Sequence, residues 1–103
     1  MMQEKTQMYA RIYTASFQPE FVEQFQAYWN EYISMKVSTR EGVQRAMLMR
    51  NDETTMTCVI EFDDRSIAEK ADVDGGYIFE KINELAGGTL QMTDGQVVEP
   101  VAV

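Results

Sequence analysis

The sequence predicts an α+β domain of element order β-α-β-β-α-β, a ferredoxin-like sandwich whose sheet pairs with a second copy in a dimeric α/β barrel. Three observations carry that expectation. An alternating run from Met8 to Phe17 leads into a long amphipathic helix, two strand-like runs flank a three-residue polar turn, and a second helical pattern is followed by further strand-like residues. With 103 residues, 45% hydrophobic and 25% charged, the chain has apolar residues for one core and not for two. Residues 1–103 are therefore taken as a single domain.

The first run, Met8 to Phe17, is rich in β-branched and aromatic residues and meets no breaker before Pro19. Side chains alternate across a strand, so Met8, Ala10 and Ile12 form a slim apolar face, while Tyr9, Arg11 and Tyr13 form a larger one with polar tips. Two dressed faces predict a sheet covered on both sides.

Pro19 suits the first turn of a helix, where its missing N–H is no loss, with Gln18 at the cap and Phe17 placed to staple against Val22. The helix is expected to run to about Ser38. At 100° per residue, Phe21, Val22, Phe25, Tyr28, Trp29, Tyr32, Ile33 and Met35 fall within an arc of about 160°. Each buried ring contributes roughly 1.5–3 kcal/mol, so this helix should anchor the core. Asn30 falls on the polar side.

After a turn at Thr39-Arg40-Glu41-Gly42, Val43 to Arg50 and Thr54 to Asp63 read as a hairpin joined at Asn51-Asp52-Glu53. In the second strand Met56, Cys58, Ile60 and Phe62 alternate with Thr57, Val59 and Glu61, which marks the first set as core. Asp63 or Asp64 can cap the next helix near Ser66. Asp74-Gly75-Gly76 predicts a break in that helix, after which Ile78, Ile82 and Leu85 continue the buried stripe to a stop at Gly87-Gly88. Thr89 to Thr93 and Val97 to Val103 read as strands on either side of an Asp94-Gly95 turn, with Pro100 marking an edge. Helices on one face of such a sheet leave the other face in need of cover, and a second subunit supplies it.

Composition excludes several functions. The net charge of −8, with only nine Lys and Arg, repels phosphate backbones and anionic headgroups, so neither nucleic acid nor a membrane surface is an expected partner. No stretch approaches the ~20 apolar residues of a membrane helix and Met1 to Lys5 lacks the order of a signal peptide, so a cytoplasmic protein is expected. Cys58 stands alone and reads as a small core residue. The absence of histidine removes Ser-His-Asp and Cys-His catalysis and histidine ligation of zinc or haem. Asp72-Val73-Asp74-Gly75 opens like a calcium loop but lacks the later oxygen ligands and the closing Glu, so no metal is expected.

In element order, and in the stretch Val59-Ile60-Glu61-Phe62-Asp63-Asp64-Arg65-Ser66-Ile67-Ala68 that joins hairpin to second helix, the chain resembles the antibiotic biosynthesis monooxygenase superfamily over roughly Met8 to Val98. The resemblance implies a dimeric α/β barrel with a hydrophobic pocket between sheet and helices. It also implies an activity among cofactor-free oxygenases, or related isomerases or cyclases, of aromatic or quinol compounds, in a family that includes many small proteins without established activity. Phe62 stands where the family often has Trp. Haem-degrading members carry a histidine in the second helix, and Lys70-Ala71-Asp72-Val73-Asp74 has none, so no cofactor is expected.

The candidate substrate-binding residues are Arg11, Tyr13, Trp29, Phe62 and Tyr77. Arg11 offers a fixed fork of donors to an anion and Tyr13 a hydroxyl to a substrate oxygen, whereas the same Tyr9-Arg11-Tyr13 face could instead line the sheet-to-sheet contact and pair with a partner carboxylate. Trp29, with Tyr28 and Tyr32, could wall an aromatic pocket facing Phe62 and Tyr77, or simply fill the core. Met47, Met49, Met56 and Met92 are flexible fillers of a core, a pocket or a dimer contact. The expected function is a cofactor-independent monooxygenase of a small aromatic or quinol-type compound; the alternative is a non-catalytic metabolite-binding or accessory homodimer of the same fold.

Overall fold

The computed structural model describes residues 8–98, apart from the side chains at positions 38, 74, 75 and 77. Its elements run β1 (Tyr9–Ser16), α1 (Pro19–Tyr28), a π-helical turn (Trp29–Ile33), α2 (Ser34–Ser38), β2 (Val43–Arg50), β3 (Thr55–Phe62), α3 (Arg65–Leu85) and β4 (Gln91–Gln96). The four strands form an antiparallel sheet in the order β2-β3-β1-β4, with the helices on one face. That is the ferredoxin-like arrangement expected from the element order.

Local chemistry explains most boundaries. Pro19 opens α1 behind Gln18, and Phe17 stacks on Phe25 with ring centroids 4.6 Å apart. Val22, Phe25, Trp29 and Ile33 are buried along the expected face. Met35 is not part of it: the π-helical turn advances the register, and Met35 is 56% exposed. Asp64 caps α3, accepting hydrogen bonds from the Ile67 backbone N–H at 3.1 Å and from the Ser66 hydroxyl, and these bonds hold its carboxyl below the usual range. At the other end Gly87 and Gly88 take φ of 61° and 81°, and their N–H groups donate to the carbonyls of Glu84 and Asn83. This is the two-bond closure that ends a helix with a left-handed glycine.

Gly42 fills a different need. Its φ is 88°, and a Cβ there would lie 2.9 Å from Ile67 side-chain carbons, so a side chain would both strain the turn and displace α3.

Two expectations are corrected. First, α3 is continuous through Asp74-Gly75-Gly76. Ala68, Ala71, Ile78, Phe79, Ile82 and Leu85 share an arc of about 120° across the glycine pair, so one stripe packs both halves. The loss of about 1 kcal/mol per glycine is smaller than the burial gained by keeping them in register. A Cβ at Gly76 would meet nothing within 4 Å. Gly76→Ala should therefore stabilise the protein by about 0.5–1 kcal/mol, read as a higher urea midpoint with unchanged m.

Second, Asp94-Gly95 is not a turn. Both residues lie within β4, where Asp94 pairs with Arg11 and Gly95 with Ala10. The partner strand and the Arg11 charge outweigh a turn-prone dipeptide. The remainder of the predicted Val97–Val103 strand, Pro100 included, lies outside the described residues beyond Val98.

The sheet faces also resolve. Tyr9, Arg11, Tyr13 and Ala15 point toward the helices with Met56, Cys58, Ile60 and Phe62, so the Tyr9-Arg11-Tyr13 row does not line a sheet-to-sheet contact, and Arg11 finds its carboxylates within its own chain. The opposite face carries Ile12, Val59 and Met47 side by side in one cross-strand row, with Met49 next along β2. Ile12 is 41% exposed, Met47 40% and Met49 44%. Met92, also predicted as apolar filler, lies at the sheet edge and is largely exposed, whereas Met56 is core.

Candidate functional site

An apolar cavity of about 90 Å³ lies between the sheet and the helices. A water needs roughly 10–15 Å³, so the space exceeds an ordinary packing defect. Tyr13, Cys58, Ile60 and Phe62 form its floor, and Phe25, Trp29, Ile33 and Val37 form one wall. Ala71, Ile78, Phe79 and Ile82 of α3 form the opposite wall.

A π-helical turn lies within the first wall. The Ser34 N–H reaches back to the Trp29 carbonyl, one residue further than an α-helix allows, and the Ser34 hydroxyl donates to the Asn30 carbonyl at 3.0 Å. Trp29 and Ile33, four residues apart on one helical face, both border the cavity. Tyr28 and Tyr32, one turn apart, stack on each other at 5.4 Å and are only half-buried. They are not among the residues bordering the cavity.

Three of the candidate residues come together here: Tyr13, Trp29 and Phe62 all line the cavity. Tyr13 stacks on Phe79 with centroids 4.8 Å apart. Burial pushes the Tyr13 hydroxyl up to about 12, against the opposing pull of Arg11. At neutral pH it is a hydrogen-bond donor and no base. Burial likewise raises the Cys58 thiol to about 12, which leaves it a poor nucleophile. The Tyr77 side chain lies outside the described residues.

Arg11 lies to one side of this space. It is 4% exposed and does not border the cavity. Its Nη1 donates to the Ala68 carbonyl at 3.3 Å and bonds the Asp72 carboxylate, and its Nε donates to Asp94 at 3.3 Å. Burial opposes the charge, but the hydrogen bonds to Asp72 and Tyr13 overcome it and the guanidinium pKa is raised. Asp94 is held below the usual carboxylate range, first by a hydrogen bond from Tyr9 and also by the Arg11 charge. Arg11 therefore ties β1 to α3 and β4 and stands behind Tyr13.

Sequence reasoning passed over Phe79, Lys36 and Arg40 at this site. Phe79 becomes visible once α3 is taken as continuous, because it then shares the stripe of Ile78 and Ile82. Lys36 and Arg40 also line the cavity, and among the described residues that line it there is no carboxylate. Nothing in the local sequence distinguishes these two cations from any others.

No protein-family model matches the chain, and no curated protein matches its sequence. Solved structures do resemble it. A protein from Deinococcus radiodurans assigned to the antibiotic biosynthesis monooxygenases superposes with a TM-score of 0.81 at 10% identity, over 92% of this chain and 97% of that one. A monooxygenase from Streptomyces coelicolor, solved in complex with nanaomycin D, superposes with a TM-score of 0.73 at 10% identity, over 96% and 94%. A dimeric ferredoxin-like protein from an uncultured marine organism gives 0.68 at 17% identity, over 95% and 93%. The chain has the fold of the antibiotic biosynthesis monooxygenases, as the stretch around Phe62 suggested.

Proposed function

We propose that the chain binds a small aromatic or quinol-type compound in the cavity between sheet and helices and acts on it as a cofactor-independent monooxygenase. The observation that carries this reading is the cavity itself, apolar and lined by Tyr13, Trp29 and Phe62, in a fold that the nanaomycin-bound monooxygenase shares. The rings would stack on a flat substrate and exclude water, and the protonated Tyr13 hydroxyl would donate to a substrate oxygen. The residues supply no redox group. The electrons must come from the substrate: an ionised phenol carbon adds dioxygen to form a hydroperoxide, and loss of water from it leaves the quinone.

A second reading has its own observation. None of the described residues lining the cavity is a carboxylate, and the Tyr13 hydroxyl and Cys58 thiol are both held protonated, so no described residue there is suited to take the substrate's proton. A binding protein of the same fold needs no such group. Incubation with a panel of hydroxynaphthalenes and quinols, with oxygen uptake followed by electrode, separates the two. Oxygen consumption matched by quinone formation, abolished under argon and reduced at least tenfold in Trp29→Ala, is the expected result. Binding of the panel without oxygen uptake would establish the accessory role instead.

We further propose a homodimer formed through the sheet face that bears Ile12, Met47 and Val59, the assembly type named for the marine ferredoxin-like protein. A reducing cytoplasm fits the single buried thiol.

A further inference from the structure

At about 90 Å³ the cavity is smaller than the roughly 150 Å³ of apolar space that takes up one benzene. A flat ligand therefore needs a lining side chain to move, and the structure singles out Phe79. Its ring stacks on Tyr13, with centroids 4.8 Å apart and planes 20° apart. A third ring between them would need about 7 Å, two van der Waals spacings. Phe79 thus takes a ring face of Tyr13, the only hydroxyl-bearing residue among the described ones along the cavity.

Of the stacked pair, Phe79 is the one placed to give way. Tyr13 is held in mid-sheet between Cys58 of β3 and Met92 of β4, and its hydroxyl is hydrogen-bonded to Arg11. Phe79 is partly buried on α3 and has no polar atom to tie it. A helical side chain leans over the turn before its own Cα, toward the residues three and four positions earlier. For Phe79 these are Gly76 and Gly75. A Cβ on Gly76 would meet no described atom within 4 Å, so the Phe79 ring does not lie there now and the space is open to it. A second staggered χ1 position can therefore receive the ring without moving the helix.

We propose that Phe79 determines the specificity of the cavity: its ring holds the place against Tyr13 that one ring of a phenol or quinol takes when Phe79 turns aside over Gly76. This rests on the reading of the cavity as a ligand site and adds the seat of the ligand and its size. Displacing one phenyl group frees about one ring of volume, so the buried part of the ligand is a single ring. The glycine also gains a reason. Alanine at position 76 would favour the helix and clash with nothing described, but only glycine leaves the whole turn clear for the Phe79 ring.

Isothermal titration calorimetry of the full chain with 4-ethylphenol and with 2-naphthol tests the assignment. Wild type should bind 4-ethylphenol and take 2-naphthol no more tightly, although the larger body offers more apolar area. Phe79→Ala should bind 4-ethylphenol about tenfold tighter, the scale of one aromatic stack that entry no longer breaks, and should reverse the preference in favour of 2-naphthol. Gly76→Leu fills the turn and pins Phe79 on Tyr13. Its affinity for 4-ethylphenol should fall about tenfold, with far-UV circular dichroism unchanged and the urea midpoint no lower than wild type. Should one variant fail to fold, the other decides the matter. Wild-type affinity in Gly76→Leu, or an unchanged preference in Phe79→Ala, would overturn the role of Phe79 and keep the cavity as a ligand site. No binding of either phenol to wild type would overturn both, whatever the space opened by Phe79→Ala takes up.

Discussion

Arg11→Met should lower stability by about 3 kcal/mol at pH 7, the largest loss expected from any single polar substitution in this chain. Methionine keeps the apolar stem but removes the charge that meets Asp72, Asp94 and the Ala68 carbonyl. What remains is a helix carbonyl that has lost its side-chain donor and two carboxylates without their cation. Because Asp72 and Asp94 are partly exposed, water recovers some of their solvation, which places the expected loss at the lower end for a broken buried pair.

The pH dependence gives the signature. Asp94 has a folded pKa below its unfolded one, so its contribution is complete above the ordinary aspartate range, near pH 4, and is lost as pH falls through the folded value. The gap between wild type and Arg11→Met should therefore be widest at neutral pH and narrow below about pH 4. Urea unfolding at pH 7 and pH 3.5 measures both quantities. An equal gap at the two pH values would show that Arg11 acts by packing and not by charge.

Ile12→Asp should convert the proposed dimer to monomer, raising its dissociation constant at least about a hundredfold. The substitution puts a carboxylate beside Val59 in the apolar row that runs on to Met47, and an isologous interface receives it twice. In an isolated subunit Ile12 is 41% exposed, so the monomer should fold with unchanged far-UV circular dichroism. Sedimentation velocity at low micromolar concentration reads the change. A wild-type chain that sediments as a monomer there would remove the barrel arrangement altogether.

These two residues are neighbours in sequence and opposite in fate, and they show where sequence reasoning works. Alternation along β1 separated Arg11 from Ile12 at once, because a strand can do nothing else with consecutive side chains. It could not say which face the helices cover. Tyr9-Arg11-Tyr13 looked polar enough for a contact between sheets, yet Asp72 and Asp94, distant in sequence, neutralise Arg11 and let the row face inward.

Element order, the amphipathic first helix, a helix cap at Asp63 or Asp64, the hairpin around Asn51-Asp52-Glu53 and the core set Met56, Cys58, Ile60 and Phe62 were determined by local pattern alone. Each depends on neighbours within a few residues, where periodicity, turn chemistry and capping act. Tertiary structure alone decided that α3 runs through Gly75-Gly76, that Asp94-Gly95 is strand, and that Tyr13, Trp29 and Phe62 converge on one cavity that Lys36 and Arg40 also line. In those cases the deciding energy lies in packing and charge pairing between segments remote along the chain. A local preference of about 1 kcal/mol yields to it.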